Sequence, residues 1–369
     1  MVRVAACLLL LGCVSLASAQ EPAPPPREKV KFGSWRAGEP KKKLLAAGGG
    51  DAETEAAVAA ALKWLAPRQQ DDGTWRFDSY PSAAAASTGF ALLCFFGAGY
   101  APGDDSDYGK RLTDGVAALL KGQDAESGLI RSRTGNRNMY EHAIATQALV
   151  EAYGLTGEEK LREPCARAIE LIAKAQHRDG GWRYEPAPHY AGDVSITGWV
   201  VQALTAARRA NLDVPEGVLA GAIKFLNGCN ARDKPGTFVY VAYGGKYNPA
   251  SACTASGACS MLALGAWSRD DQRLGVAAGE ILKRSPEKGK PADPYFLYYA
   301  TRAVYWRGGD DWSKTWNPRM RDYLLASQKA DGSWPAGGGQ YGRTLGVVGT
   351  TYFHVLTLQT YYRYPPPVK

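Results

Sequence analysis

The chain has 369 residues, 45% of them hydrophobic, and a formal net charge of +8. Residues 1–43 hold 8 of the 44 Lys and Arg but only 3 of the 36 Asp and Glu, so the remainder is close to +3. The basic balance therefore makes no case for a nucleic-acid partner, and a body this long can bury its own core without covalent staples.

The N-terminus has the layout of an export signal. Arg3 supplies a positive start, Val4 to Leu16 is apolar, and Ala17-Ser18-Ala19 is a small-residue cleavage site before Gln20. Residues 1–19 are thus expected to be removed on export to the periplasm or the outside of the cell. A rival reading takes Leu10-Leu11-Gly12 before Cys13 as a lipid-anchoring signal, although Leu11 is bulky for that role. Residues 20–51 are rich in Pro, Lys and Gly and read as a linker, and 366–369 as a tail. No later segment is apolar enough to span a membrane. Cys94, Cys165, Cys229, Cys253 and Cys259 remain after the signal, an odd number with no zinc spacing. Buried thiols are the simplest reading, with a bridge from Cys229 to Cys253 or Cys259 left open, and neither a metal nor a cofactor is expected.

Between 52 and 365 the sequence repeats. Three segments superpose without gaps: Gln69, Gly73 and Trp75; Gln176, Gly180 and Trp182; Gln328, Gly332 and Trp334, each with Asp before the Gly. Weaker copies lie at Gln123 with Gly128-Leu129, at Gly236-Thr237-Phe238, and around Pro294-Tyr295. Markers at 75, 129, 182, 238, 295 and 334 give six units of two helices. Second helices such as Thr88–Phe96 and Thr197–Leu204 are apolar nearly all round, and first helices carry charge on one side. This pattern predicts an all-α fold, an (α/α)6 toroid in which an outer ring wraps an inner one.

These Gln-x-x-x-Gly-x-Trp segments resemble the repeat of the terpenoid cyclase and protein prenyltransferase superfamily, best known from squalene–hopene cyclase. Met139-Tyr140-Glu141-His142-Ala143-Ile144-Ala145-Thr146, Trp316-Asn317-Pro318-Arg319-Met320-Arg321-Asp322 and Tyr361-Tyr362-Arg363-Tyr364 resemble exported bacterial prenyltransferase/squalene-oxidase repeat proteins, a group with no established activity. The resemblance implies a fold more firmly than a reaction. The cyclases use an Asp-x-Asp-Asp-Thr acid, and the matching segment here is Asp193-Val194-Ser195-Ile196-Thr197, with Ser195 where the proton donor belongs. The zinc site of the prenyltransferases has no counterpart either, because Asp331-Gly332-Ser333 carries Ser in place of the thiolate ligand.

Inner-helix starts converge on one mouth of such a ring, where helix dipoles favour anionic groups. Glu141 and Asp193 are the candidate catalytic carboxylates there, with helix capping as the competing role. Tyr140, His142, His189, Ser195, Thr197, Trp199, Tyr295, Tyr298, Tyr352 and His354 are the candidate ligand contacts. The leading expectation is an exported toroid that binds a glycan, a lipid or an envelope protein at this mouth without cyclase chemistry. A secreted carbohydrate-active enzyme using Glu141 and Asp193, and an isoprenoid cyclase with a displaced acid, are the alternatives.

Overall fold

The computed structural model describes residues 32–132, 138–242 and 252–364. The expected signal segment, the cleavage site and the 366–369 tail lie outside the described residues.

Helix α1 (Gly38–Gly48) precedes six helix pairs. The outer members are α2 (Ala52–Leu65), α4 (Gly109–Lys121), α6 (Arg162–Lys174), α8 (Glu216–Cys229), α10 (Gln272–Leu282) and α12 (Asn317–Ser327). The inner members are α3 (Ala84–Ala98), α5 (Met139–Thr156), α7 (Val194–Arg209), α9 (Ala252–Ala263), α11 (Pro294–Arg307) and α13 (Gly339–Leu358), and a short α14 (Thr360–Arg363) is the last helix of the described residues. Each inner helix packs on the next, and α13 returns to α3 while α12 returns to α2. The ring is closed, and the fold is the expected (α/α)6 toroid. No strand occurs among the described residues, only two isolated bridges inside repeat turns, Gln123 with Ile130 and Asn230 with Phe238.

Burial follows the sequence pattern. Every residue of α3 from Ala84 to Gly97 is buried, whereas α4 buries Leu112, Val116 and Leu119 along one stripe. The repeat turn explains its own residue types. The amide of Gln69 donates to Gly73 O at 3.0 Å and to Arg111 O of the next outer helix at 2.8 Å. Gln176 does the same to Gly180 O and Val218 O, both at 2.8 Å. Gln328 closes the ring by donating to Gly332 O at 2.9 Å and Ala57 O at 2.8 Å. Each glutamine therefore ties its own turn to the following unit. The Trp75, Trp182 and Trp334 indoles donate back to Leu65 O, Ile172 O and Leu324 O of their own outer helices. Their main-chain N–H groups donate to Thr88, Thr197 and Thr351 of the paired inner helices.

Two markers shift. In the second unit the residue in the tryptophan position is Ile130, two after Gly128, and Leu129 precedes it. In the fifth unit Tyr295 is the second residue of α11 and lies beyond the turn.

The expected 20–51 linker is also corrected from residue 32 onward. Phe32 is 6% exposed, Arg36 is fully buried, and α1 packs against α14. The basic, glycine-rich composition hid anchors at Phe32, Trp35, Leu44 and Leu45 that join the core. This strap covers the end of the ring where the inner helices finish. There Arg36 donates to Phe96 O at 3.3 Å and to Glu151 at 2.7 Å.

Candidate functional site

The middle of the ring is filled by aromatic rings. Phe90 of α3 meets Trp199 of α7 at 5.2 Å, and Trp199 stacks on Tyr298 of α11 at 5.9 Å and 11°. Phe353 of α13 lies 5.2 Å from Phe90 and 6.0 Å from Trp199. Inner helices that are not ring neighbours thus touch across the centre. The Tyr298 hydroxyl donates to Gln202 at 2.6 Å, and the Tyr352 hydroxyl lies 3.1 Å from Ser87 Oγ. Trp199, Tyr298 and Tyr352 are at most 2% exposed.

Three more candidate contacts are part of the framework. Thr197 accepts from Trp182 N at 3.2 Å. His142 takes the equivalent threonine's place in the second unit: its Nδ1 accepts from Ile130 N at 3.1 Å, so its Nε2 is the donor to Ala168 O at 3.1 Å. His354 has neither ring nitrogen hydrogen-bonded and sits edge-on to Trp334 at 5.4 Å and to Tyr323 at 6.0 Å.

Burial pushes His142 down to about 4 and His354 down to about 3. Both stay neutral in the fold and must lose it to take up a proton. A depressed histidine contributes stability above its unfolded value near 6.5 and loses it as pH falls toward its folded value. His354→Phe removes one such group at little cost in volume. In urea unfolding, the variant should match the parent within about 1 kcal/mol at pH 7 and exceed it by about 2 kcal/mol at pH 5, on ~1.4 kcal/mol per pH unit per proton. A difference that does not change with pH would rule the assignment out.

The other candidates, His189 excepted, converge on the mouth where the inner helices begin. Asp193 is fully buried and caps α7, its Oδ1 accepting from Ile196 N at 2.9 Å. Its Oδ2 has no partner at hydrogen-bonding distance, although the Tyr240 hydroxyl is near enough to favour the charged form. Burial pushes the Asp193 carboxyl up to about 6, against the Ile196 N–H and Arg183, which pull the other way. Glu141 is 2% exposed and accepts from Ser132 N at 3.1 Å, while the N-cap position of α5 belongs to Asn138.

Tyr140 lies beside Asp193, its hydroxyl 3.2 Å from that of Tyr341. Tyr341 stacks on Tyr295 at 4.4 Å and 15°. Ser195 is 7% exposed in the first turn of α7. His189 lies out in solvent, 3.8 Å from Glu185.

Five residues of this mouth escape a reading of the sequence. Tyr184 and Tyr240 are half-buried and share a hydroxyl contact of 2.7 Å, with Arg183 at 5.5 and 5.7 Å from their ring centres. Each stands two residues beyond its turn aromatic, Trp182 or Phe238, and that common register was the available signal. Their carbonyls accept from the first amides of α5 and α7, Met139 and Val194, at 3.0 Å. Asp293 caps α11 by accepting from Tyr295 N at 2.9 Å, and burial raises its carboxyl. Tyr341 lies within electrostatic reach of both Asp193 and Asp293.

Among the described residues no three of His, Cys, Asp and Glu gather closely enough to hold a metal ion. Among the described residues Cys94, Cys165, Cys229 and Cys259 are buried free thiols, and Cys253 is half-buried. No helix of the described residues is long and apolar enough to cross a membrane.

No family profile matches the chain, and no curated protein does. Solved structures do. The α-1,6-mannanase GH76A of Salegentibacter sp. HEL1_6, an inactive variant with two aspartates changed to asparagine and α-1,6-mannotriose bound, superposes with TM-score 0.61 at 10% identity, over 84% of this chain and 99% of its own. The type II terpene cyclase MstE from Scytonema, a variant with its product merosterolic acid A, gives 0.58 at 14% identity, over 86% of this chain and 98% of its own. The same cyclase with geranylgeranyl dihydroxybenzoate gives 0.56 at 15%, over 87% and 99%. The chain is an α/α-toroid repeat protein, and at such identities the likeness speaks for the fold alone.

Proposed function

We propose that the mouth formed by the inner-helix starts binds a saccharide, with Asp193 as its polar centre and Tyr140, Tyr184, Tyr240 and Tyr341 as its walls. The observation that carries this reading is a fully buried Asp193 whose Oδ2 has no partner at hydrogen-bonding distance, with the Tyr240 hydroxyl nearby. A buried polar atom without a partner is costly, and a sugar hydroxyl is a ligand group that removes the cost. Tyrosines offer both a face for a sugar ring and a hydroxyl for its edge. The mannanase holds α-1,6-mannotriose on the same architecture. An export signal at residues 1–19 would put the mouth where envelope glycans are met.

The isoprenoid reading loses support from the filled centre, since a polyprenyl chain needs an apolar chamber where Phe90, Trp199, Tyr298 and Phe353 pack. A hydrolytic reading keeps one specific observation. A carboxyl held near 6 is protonated often enough to act as a general acid. Glu141 would then be its partner carboxylate.

Asp193→Asn tests both readings, because asparagine caps a helix as well as aspartate and the ring should stay folded. Calorimetry with α-1,6-mannotriose, cello-oligosaccharides and chito-oligosaccharides should show binding that the variant weakens roughly 10- to 100-fold, the worth of one hydrogen bond to a charged group. Tyr184→Ala should weaken it as well. Reducing-end release by the parent and not by the variant would make the site hydrolytic. Failure of all three probes to bind, or equal binding by Asp193→Asn, would remove Asp193 from the role.

A further inference from the structure

Residues 183–192 form a loop that leaves the mouth and returns to it. Asp193 N donates to Trp182 O at 2.9 Å, so the loop closes on itself at its base. Gly192 packs there against Gly181 with no room for a Cβ, and its N–H donates to Asp179 at 3.0 Å. Further out, Arg183 donates to Ala191 O at 3.4 Å while its guanidinium lies by the Tyr184 and Tyr240 rings. Pro186 and Pro188 fix two φ angles in the outgoing arm. A compact loop whose ends touch is a stiff mount for whatever its tip carries.

The tip, Pro188 to Ala191, is exposed and carries Tyr190. Among the described residues Tyr190 and Val276 are the large hydrophobic side chains left in solvent, at 56% and 37% exposure. Val276 belongs to the outer helix α10. Tyr190 stands on the segment that joins the wall of the mouth, Tyr184, to its centre, Asp193. The three residues from Tyr190 to Asp193 reach at most about 10 Å, a length that a short saccharide covers. Tyr80, in the corresponding loop of the first unit, packs back onto the core instead. A lone exposed aromatic needs no explanation by itself. Tyr190 is singled out by its braced loop and by the buried carboxylate beside it.

We infer that Tyr190 is an outer stacking platform of the saccharide site, and that the ligand is therefore an oligosaccharide. One unit is held at Asp193, and a further unit lies against the Tyr190 ring. The inference rests on the saccharide reading of the mouth. A pyranose has an apolar C–H face, and a tyrosine ring covers such a face while only two χ angles have to be ordered. The braced loop lowers the ordering cost further.

Calorimetry on the full chain with α-1,6-mannotriose, cellotriose and chitotriose tests the platform, together with ligand-observed NMR titrations of mannose, glucose and N-acetylglucosamine. In the series that binds, Tyr190→Ala should weaken the trisaccharide about five- to tenfold and leave the monosaccharide unchanged. Tyr190→Trp should restore the trisaccharide. The ring is exposed, so both variants should keep the parent's Tm. Equal trisaccharide affinity in Tyr190→Ala and the parent overturns the platform, and with Asp193→Asn still weakening the sugar it leaves the mouth reading standing. An equal loss for both ligand sizes overturns it too, because Tyr190 would then be holding the loop in shape. Should no saccharide of either size bind, the mouth reading falls and the platform falls with it.

Discussion

Glu151→Gln should destabilise the protein by about 3–5 kcal/mol, the usual consequence of leaving a buried cation without its carboxylate. Glu151 and Arg36 are both fully buried, and Arg363 is 2% exposed. The substitution keeps the shape of the side chain and removes the charge that faces both guanidinium groups. The charge holds the N-terminal strap to the ring as well, because Arg36 also donates to Arg363 O at 3.2 Å and Phe96 O at 3.3 Å. Limited proteolysis of the variant should therefore cut within residues 32–50 before it cuts the toroid. Arg36 and Arg363 hold the Glu151 carboxyl down at about 2, overcoming its burial. A depressed carboxyl contributes stability above its ordinary value near 4.5 and loses it as pH falls toward 2. The parent should show that acid limb in denaturant titrations, and Glu151→Gln should be flatter across it. A variant within 1 kcal/mol of the parent at pH 7 would show that the strap is held by packing alone.

The toroid was legible because its repeat is written in turn chemistry. Gln, Gly and Trp each make a specific backbone contact at a fixed offset, so their spacing survives in the sequence while the helices between them vary. The strap was not legible, because Phe32 and Trp35 are two rings in a stretch of Pro, Lys and Gly, and composition averages them away. His142 had a readable role. It lies 12 residues after Ile130, as Thr88 lies 13 after Trp75 and Thr197 15 after Trp182, and all three accept a hydrogen bond from the turn residue. Asp293 and Tyr341 come to the mouth from the fifth and sixth units. Only closure of the ring places Tyr341 near Asp193 of the third, and no local pattern encodes that meeting.

Gly180→Ala should cost about 3–5 kcal/mol, from a left-handed backbone and a clash added together. Gly180 has φ +96°, and a Cβ built there would land on the carbonyl oxygen of Gly221 in the next outer helix. Gly73, Gly128, Gly236 and Gly332 meet Asp114, Arg167, Arg273 and Ala60 in the same way. The glycine is thus required twice, once by the turn and once by the approach of the neighbouring unit. Gly221 is backbone in a packed helix and cannot swing aside as a side chain could, so the added carbon has to push two units apart. Gly279 provides the contrast. It is exposed within α10, its φ is not in the left-handed region, and a Cβ there meets nothing within 4 Å. Gly279→Ala should instead gain about 0.5–1 kcal/mol by helix propensity. Urea midpoints of the two variants should move in opposite directions. If both moved the same way, the inter-unit contact at Gly180 would not be what fixes glycine in the repeat.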